Sequence, residues 1–334
     1  MTKATDANVT AEGGGEATGR GHAKVILVGE HAVVYGHAAL AAGLSAGVSV
    51  RARPGSGKLR VPAWGLETAA GEDSPVGRAL GAIVRRLEAP ALDFDADAEV
   101  PARSGLGSSA ALAVAIARAA AAACARPPGD EAIDAAVHAA ETIFHGNPSG
   151  IDAAAAKGGG AGRFTRAGGW RPIPVLQAIK LCVGLSGRPR DTAAQVSAVA
   201  RLRERLSVAD DILAALGKLA DEATAALGKG DVDGLGRTFD AAHGLLGALR
   251  VSGPELDALV HAARAAGSIG AKLTGAGGGG AVIALAPGHE RDVLARWKAA
   301  GFEGFVAEIA AGPSPLPSPG SAGRGQTAAG TRLP

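Results

Sequence analysis

The chain is poor in aromatic and sulfur-containing residues. Its 334 residues include only 3 Trp, 1 Tyr, 6 Phe, 2 Cys and 1 Met. Two cysteines that lie far apart can build neither a zinc module nor a disulfide framework. We therefore predict that Cys124 and Cys182 are reduced, small core residues. Because aromatic rings are scarce, the core must be built from alanine, valine, leucine and isoleucine.

The sequence also lacks an excess of charge of one sign and an uninterrupted apolar run. The formal net charge is +2, and no basic block with interleaved aromatic residues is present, which argues against nucleic-acid binding. The apolar stretch at residues 110–125 is interrupted by Arg118, so it predicts a buried helix rather than a membrane span. Residues 1–20 contain no apolar signal segment, and we expect a cytoplasmic enzyme.

The order of the predicted elements indicates an α+β protein of two domains. Strands and helices mix without strict alternation, and a single helix is predicted from residue 192 to residue 227. The polar, glycine-rich start and the Pro/Ser/Gly-rich end are predicted to be disordered. The expected division is a leader at 1–20, an N-terminal domain at 21–178, a C-terminal domain at 179–311 and a tail at 312–334.

The most informative segment is a glycine-rich loop that opens directly into an alanine-rich helix. Residues 105–111 read GLGSSAA. Glycines let backbone N–H groups converge, and the start of a helix adds partial positive charge, so the segment predicts a pocket for phosphates. Ser108 and Ser109 supply oxygens for a Mg²⁺ carried by a nucleotide. No lysine follows the glycines, so this is not a Walker A loop.

A second glycine-rich run, GAGGGG, occupies residues 275–280. It matches the dinucleotide-binding string, but a strand is predicted after it where that fold requires a helix. A Rossmann domain is therefore not predicted. A tight turn in a glycine-rich chain remains the alternative interpretation of this run.

Three charged residues are candidates for chemistry. Lys24 begins a predicted apolar strand at 25–28, where a solvated strand edge is the alternative. Glu141 and Asp152 flank a turn at residues 146–150, which can bring the end of one helix against the start of the next. One carboxylate could then hold Mg²⁺ while the other meets a substrate hydroxyl, although each acid taken alone is better explained as a surface charge at a helix end. The histidines lack zinc-like spacing and are interpreted as ordinary polar residues: His138, His145 and His243.

Four segments in this order resemble the GHMP small-molecule kinases. They read KVILVGEHAVVYG at 24–36, GLGSSAA at 105–111, ETIFHGNPSGID at 141–152 and KLTGAGGGG at 272–280. A weaker similarity is RPRDT at 188–192. The resemblance covers residues 24–311 and is strongest to the branch that phosphorylates the C5 hydroxyl of mevalonate with ATP, in isoprenoid precursor synthesis.

The resemblance implies a two-lobed fold with the active site in the cleft. The N-terminal lobe would resemble domain 2 of ribosomal protein S5, and the C-terminal lobe would be ferredoxin-like. Catalysis is assigned by the resemblance to Asp152 with Lys24, and Mg²⁺ binding to Ser109 and Glu141. The implied contacts to ATP phosphates are Gly105, Leu106, Gly107, Ser108, Ser109, Ala110, Gly275, Ala276 and Gly277, and the implied contacts to mevalonate are Glu30, His31, Arg190 and Thr192. Relatives are often dimers, so a homodimer is a further expectation.

Two other functions remain open on the sequence alone. A kinase or decarboxylase of the same fold would act on a phosphorylated form of mevalonate, and a non-catalytic member would bind nucleotide or ligand as a sensor. A phosphorylated substrate favours a cluster of lysine or arginine around Asp152, which the sequence does not offer. A sensor would be favoured by the loss of Lys24 or Asp152, and both are present.

Overall fold

The first sheet is organised around two long neighbouring strands, β2 and β3. The computed structural model describes residues 11–12, 16–146, 148–189 and 191–312. The strands of this sheet are β1 (Ala11–Glu12), β2 (Glu16–Val28), β3 (Ala39–Pro54), β4 (Lys58–Val61), β5 (Leu66–Ala69), β6 (Leu92–Ala98), β7 (Ala161–Thr165) and β8 (Gly169–Ile173). Their order is β1-β2-β3-β6-β4-β5, with β7 pairing β3 and β8 pairing β7. All the pairs are antiparallel except β4 with β6.

Four helices accompany this sheet. They are α1 (Pro75–Arg86), α2 (Ser108–Ala122), α3 (Asp130–His145) and α4 (Ile151–Gly158). The alanine-rich α2 packs on β2 and β3, and most of its residues are buried. The apolar sides of α1 and α3 join the same core. This packing brings the start of α2 and the start of α4 to β2, which positions the residues of the candidate site.

The expectation of a disordered leader as far as residue 20 is wrong for residues 11–12, which form β1, and for residues 16–20, which form the start of β2. Glycines on this strand allow α2 to approach closely. A Cβ at Gly19 would lie 2.3 Å from the Ala115 carbonyl oxygen, and one at Gly21 would lie 2.1 Å from the Ala111 carbonyl oxygen. A close helix contact therefore demands small residues that resemble a linker in the sequence. The rest of the predicted leader and tail, at 1–10, 13–15 and 313–334, lies outside the described residues.

The second sheet has the ferredoxin-like arrangement. It contains β9 (Ile179–Leu185), β10 (Gly270–Thr274), β11 (Ala281–Leu285) and β12 (Glu303–Ile309), in the antiparallel order β10-β11-β9-β12. The helices are α5 (Thr192–Arg205), α6 (Val208–Lys229), α7 (Val232–Ala248) and α8 (Pro254–Ala265) before β10, and α9 (Glu290–Ala299) before β12. The predicted two-lobed α+β fold is confirmed. The exact domain limits at 178 and 179 stay a prediction.

Three local predictions needed correction. The single helix predicted over 192–227 is two helices, because the chain leaves helical geometry at Leu206, whose backbone is extended. The hairpin of β4 and β5 was not predicted, and neither was β10. These three strands are only four or five residues long, a length at which periodicity carries little signal.

One hydrophobic core joins the two sheets. It contains Val25 and Leu27 of β2, Val183 of β9 and Leu216 of α6. Cys182 is buried in this core, as predicted, whereas Cys124 is only partly buried, and neither cysteine forms a disulfide. Among the helices of the described ranges, none combines the length and the hydropathy that a membrane span requires.

Candidate active site

Lys24 and Asp152 form an ion pair where β2 meets the first glycine loop. The Lys24 Nζ is 3.0 Å from the Asp152 Oδ1, and the two side chains are 2% and 23% exposed. The backbone N–H of Lys24 donates to the Leu106 carbonyl at 2.8 Å. Lys24 is therefore a buried cation, and its interpretation as a solvated strand edge is wrong. The partly exposed carboxylate of Asp152 leaves one side of the pair open to solvent.

Asp152 is held in place by the turn that precedes it. It lies in the first turn of α4, and Gly150, with φ +86°, caps this helix. A negative side chain in the first turn is favoured by the partial positive charge at the start of a helix. The local sequence thus directs the Asp152 carboxylate to the start of α4, next to β2.

The first glycine loop leads into α2 without a side-chain cap. Gly105 and Gly107 both have positive φ, at +89° and +69°, and Gly107 caps α2 with no side-chain hydrogen bond. The first N–H groups of any helix lack partners within the helix. In α2 these N–H groups belong to the first turn, which contains Ser108, Ser109 and Ala110. This geometry suits an anion, as the sequence predicts.

Glu141 is a buried carboxyl close to the ion pair. It is 2% exposed, and its Oε1 makes no hydrogen bond among the described residues. Burial raises its pKa to about 8, the negative charge of Asp152 adds to the shift, and Lys24 opposes it. A small cavity of about 180 Å³, which also contacts His138 and Lys157, lies along one side of Glu141. A buried carboxyl oxygen without a hydrogen-bond partner is costly, and a bound cation would satisfy it. Glu141 therefore has the chemistry of a cation ligand.

Ser109 and Glu141 fit a Mg²⁺ that is carried by nucleotide phosphates. Both donate oxygen, which Mg²⁺ prefers, and a nucleotide-bound Mg²⁺ needs only one or two protein ligands. Within the described part of the chain, no group of three or more His, Cys, Asp and Glu side chains forms an independent metal site. The orphaned Glu141 Oε1 is the observation that supports the fit.

His145 is a site residue that the sequence analysis missed. Its Nε2 lies 3.4 Å from the Ser109 Oγ, so the end of α3 touches the start of α2. The available signal was its spacing from Glu141, because residues four apart share one face of a helix. This contact makes His145 a further candidate for the site.

The predicted substrate contacts separate into different environments. Glu30 is not accessible: its carboxylate is 1% exposed and pairs with Lys272, so we withdraw it as a substrate contact. His31 is also buried, and its Nε2 lies 2.9 Å from the Ala276 carbonyl oxygen. Thr192 is exposed at the start of α5. Arg190 lies outside the described residues.

The second glycine loop, at residues 275–280, is bonded by its backbone to two other segments of the C-terminal lobe. The Gly278 N–H donates to the Val251 carbonyl at 2.8 Å, and the Gly280 N–H donates to the Arg188 carbonyl at 3.0 Å. The loop joins β10 to β11, so no helix follows it and the rejection of a Rossmann domain is confirmed. Its predicted phosphate contacts, Gly275, Ala276 and Gly277, are buried, and their role stays a prediction.

Comparison with known proteins gives matches along both lobes. The family described as GHMP kinases N terminal domain matches residues 74–160, and GHMP kinases C terminal matches residues 223–303. The mevalonate kinase of Pyrococcus horikoshii is 37% identical over 307 residues, which cover 84% of this chain and 91% of that protein. The mevalonate kinase of Pyrococcus abyssi is 34% identical over 315 residues, covering 86% and 93%. The crystal structure of L. major mevalonate kinase in complex with R-mevalonate aligns with a TM-score of 0.80 at 28% identity, covering 92% of this chain and 98% of that chain.

Proposed function

Because the chain belongs to the GHMP kinase family, we propose that it transfers the γ-phosphoryl group of ATP to the C5 hydroxyl of mevalonate. The observation that carries this proposal is the Lys24–Asp152 ion pair against the first glycine loop. A carboxylate can orient a hydroxyl acceptor, a cation can stabilise the transferring phosphoryl group, and this pair supplies both. The products are 5-phosphomevalonate and ADP.

Asp152 and Lys24 have different roles in the phosphoryl transfer. The exposed side of the Asp152 carboxylate orients the C5 hydroxyl and accepts its proton as the new O–P bond forms. Phosphoryl transfer passes through a largely dissociative transition state, so the proton leaves late and a weak base is sufficient. Lys24, held by Asp152 on one side, stabilises the charge on the transferring group.

Ser109 and Glu141 are the proposed ligands of Mg²⁺. When bound, this ion neutralises charge on the β- and γ-phosphates of ATP. The first turn of α2 binds the phosphates through its N–H groups. His145 contacts Ser109 and orients the Ser109 hydroxyl towards the Mg²⁺ and the phosphates.

The carboxylate of mevalonate requires a cationic partner. We keep Arg190 with Thr192 for this role, because a guanidinium binds a carboxylate through two parallel hydrogen bonds. The position of Thr192 supports it: α5, which starts there, also carries Gln195, whose side chain packs against Gly278 of the second glycine loop. A homodimer and a cytoplasmic location stay predictions from the sequence.

A coupled ADP-release assay tests the function. Mevalonate, phosphomevalonate and mevalonate diphosphate are each supplied with Mg-ATP, and ³¹P NMR identifies the product. We expect ADP release with mevalonate alone. Turnover of a phosphorylated substrate instead would move the enzyme to another reaction of the same fold. ATP binding without turnover of any of the three would favour a sensor.

Replacing Gly107 by alanine is expected to lower kcat about 100-fold in a protein that still folds. A Cβ at Gly107 would lie 2.6 Å from the Lys24 Cγ, so the lysine must move. A displacement of about 1 Å in a catalytic group can cost about 100-fold in rate. Steady-state kinetics and thermal unfolding measure the two effects.

The matched control is Gly288→Ala. Gly288 also has positive φ, at +80°, but nothing lies within 4 Å of the added Cβ. Both variants carry a backbone strain of about 1–2 kcal/mol, so they share the loss of stability and differ in rate. Equal kcat values for Gly107→Ala and the unmodified chain would show that the position of Lys24 is not critical.

A further inference from the structure

Strand β2 holds both glycine loops through residues two apart. Lys24 bonds the first loop, since its N–H donates to the Leu106 carbonyl at 2.8 Å. Ile26 bonds the base of the second loop: its N–H donates to the Thr274 Oγ1 at 2.9 Å, and this hydroxyl donates to the Ile26 carbonyl at 3.0 Å. One strand therefore sets the separation of the two loops.

Beyond β2, a buried ion pair continues the same connection. The Glu30 and Lys272 side chains are 1% and 0% exposed. Lys272 also donates to the Leu273 carbonyl at 2.6 Å, and the backbone N–H of Gly275 favours the charged form of Glu30. Burial raises the pKa of Glu30 and lowers the pKa of Lys272, and each ion opposes the shift of the other. Burying two charges costs desolvation free energy that their attraction only offsets, so the pair adds little to stability. Its contribution is to fix the position of Glu30 relative to Lys272.

His31 is a further contact between the end of β2 and the second glycine loop, and its backbone is strained. Its φ of +59° is unusual for a residue other than glycine. Its Nε2 lies 2.9 Å from the Ala276 carbonyl oxygen, and because a carbonyl only accepts, Nε2 is the protonated nitrogen. Burial lowers the pKa of His31, and the bond to Ala276 opposes the shift, so the ring is neutral at pH 7. A strained residue that is buried and bonded is held there by its surroundings, which points to function.

We propose that His31 is a positioning residue that fixes the second glycine loop against the strand carrying Lys24, so that ATP meets a preformed loop. The proposal rests on the proposed phosphoryl transfer. It differs from the expectation that His31 contacts mevalonate, because the observed partner of the ring is the backbone of the loop. In this arrangement His31 acts on nucleotide binding and not on the acceptor.

The test compares two amides of different length. His31→Asn keeps a polar side chain that is too short to reach Ala276, and it must adopt the same strained backbone, with φ +59° and ψ −45°, as His31→Gln. His31→Gln places an amide nitrogen close to the position of Nε2 and keeps the donor. The matched control is His261→Asn, on the exposed face of α8.

Two readouts are made on the full-length chain. The first is amide hydrogen exchange of the peptide at residues 272–285, in which Gly278 and Gly280 hold the loop by backbone bonds. The second is the pair of KM values for ATP and mevalonate. We expect His31→Asn to speed exchange of the loop about tenfold and to raise the KM for ATP about tenfold, as the loss of one buried hydrogen bond predicts. The KM for mevalonate should stay unchanged, and His31→Gln should restore both values.

Three results would overturn the proposal. Unchanged exchange with a raised KM for mevalonate would make His31 a direct substrate contact. Faster exchange in β9 as well as in the loop would indicate general destabilisation. Failure of His31→Gln to restore the loop would show that the hydrogen bond is not the cause. If the unmodified chain turns over no substrate, the proposed function fails, and the exchange measurement still decides the role of His31.

Discussion

Asp152→Asn is expected to lower kcat by about 10³-fold while ATP still binds. Asparagine preserves the shape of the side chain but cannot accept the hydroxyl proton, and a positioned acid or base contributes about 10²–10⁴-fold. The substitution also removes the partner of Lys24, whose Nζ lies 3.0 Å from the Asp152 Oδ1. The buried ammonium would then carry an uncompensated charge, which costs stability and displaces the lysine.

Single-turnover kinetics and calorimetric titration with ATP separate the two effects. The control is Asp134→Asn, on an exposed carboxylate of α3 that pairs with Lys157, and it should change kcat little. A loss of less than about tenfold in Asp152→Asn would show that the residue orients the hydroxyl without accepting its proton.

Glu141→Gln is expected to have opposite effects on activity and on stability. As a proposed Mg²⁺ ligand, its loss should raise the KM for Mg-ATP and lower kcat by about 10²-fold, since metal-ion stabilisation is worth several kcal/mol. The unliganded protein should become more stable at high pH. The physical cause is the pKa of Glu141, which burial and Asp152 raise from 4.5 to about 8.

The sign of the stability change follows from proton binding. Between pH 4.5 and about 8, the folded protein holds a proton that the unfolded chain has lost, so its stability is complete below pH 4.5 and falls as the pH rises through 8. At pH 8 the loss reaches at most about 4 kcal/mol. Glutamine cannot ionise and avoids this cost.

Thermal unfolding without nucleotide at pH 5 and pH 8 measures the difference. The melting temperature of Glu141→Gln should exceed that of the unmodified chain at pH 8 and approach it at pH 5. Glu131→Gln, at an exposed position on the same helix, should show no such dependence on pH. A lower melting temperature for Glu141→Gln at both pH values would mean that the carboxylate is ionised and satisfied in the folded protein.

The fold could be predicted where a segment had periodicity or a motif, and not where packing decided the outcome. The helices at Ser108–Ala122 and Asp130–His145 were predicted within a few residues. The start of β2 was missed because the glycines that permit its close contact with α2 are also typical of a flexible linker. The break at Leu206 was missed because a helical pattern continues across it, and only the tertiary position of α6 requires the turn.

A motif predicts the position of a site residue only when all residues of the motif face the same site. Lys24 and Asp152 form an ion pair, and Ser109 lies in the first turn of α2, while the roles of these residues stay predictions. Glu30 and His31 belong to the same motif as Lys24, yet they turn towards the second glycine loop. Their partners are 242 and 245 residues away in the chain, and no local pattern reveals a contact at that separation.

The bond between Ile26 and Thr274 also has a consequence for biosynthesis. The two residues are 248 positions apart, and at a synthesis rate of about 5–20 residues per second the second emerges some ~12–50 s after the first. Asp152 emerges about halfway through that interval, and from then on the nascent chain carries Lys24, the first glycine loop and Asp152, but its β2 strand has no Thr274 to bond. The contact that joins the two glycine loops therefore forms only after Thr274 has emerged from the ribosome, and a chain terminated before that residue lacks it.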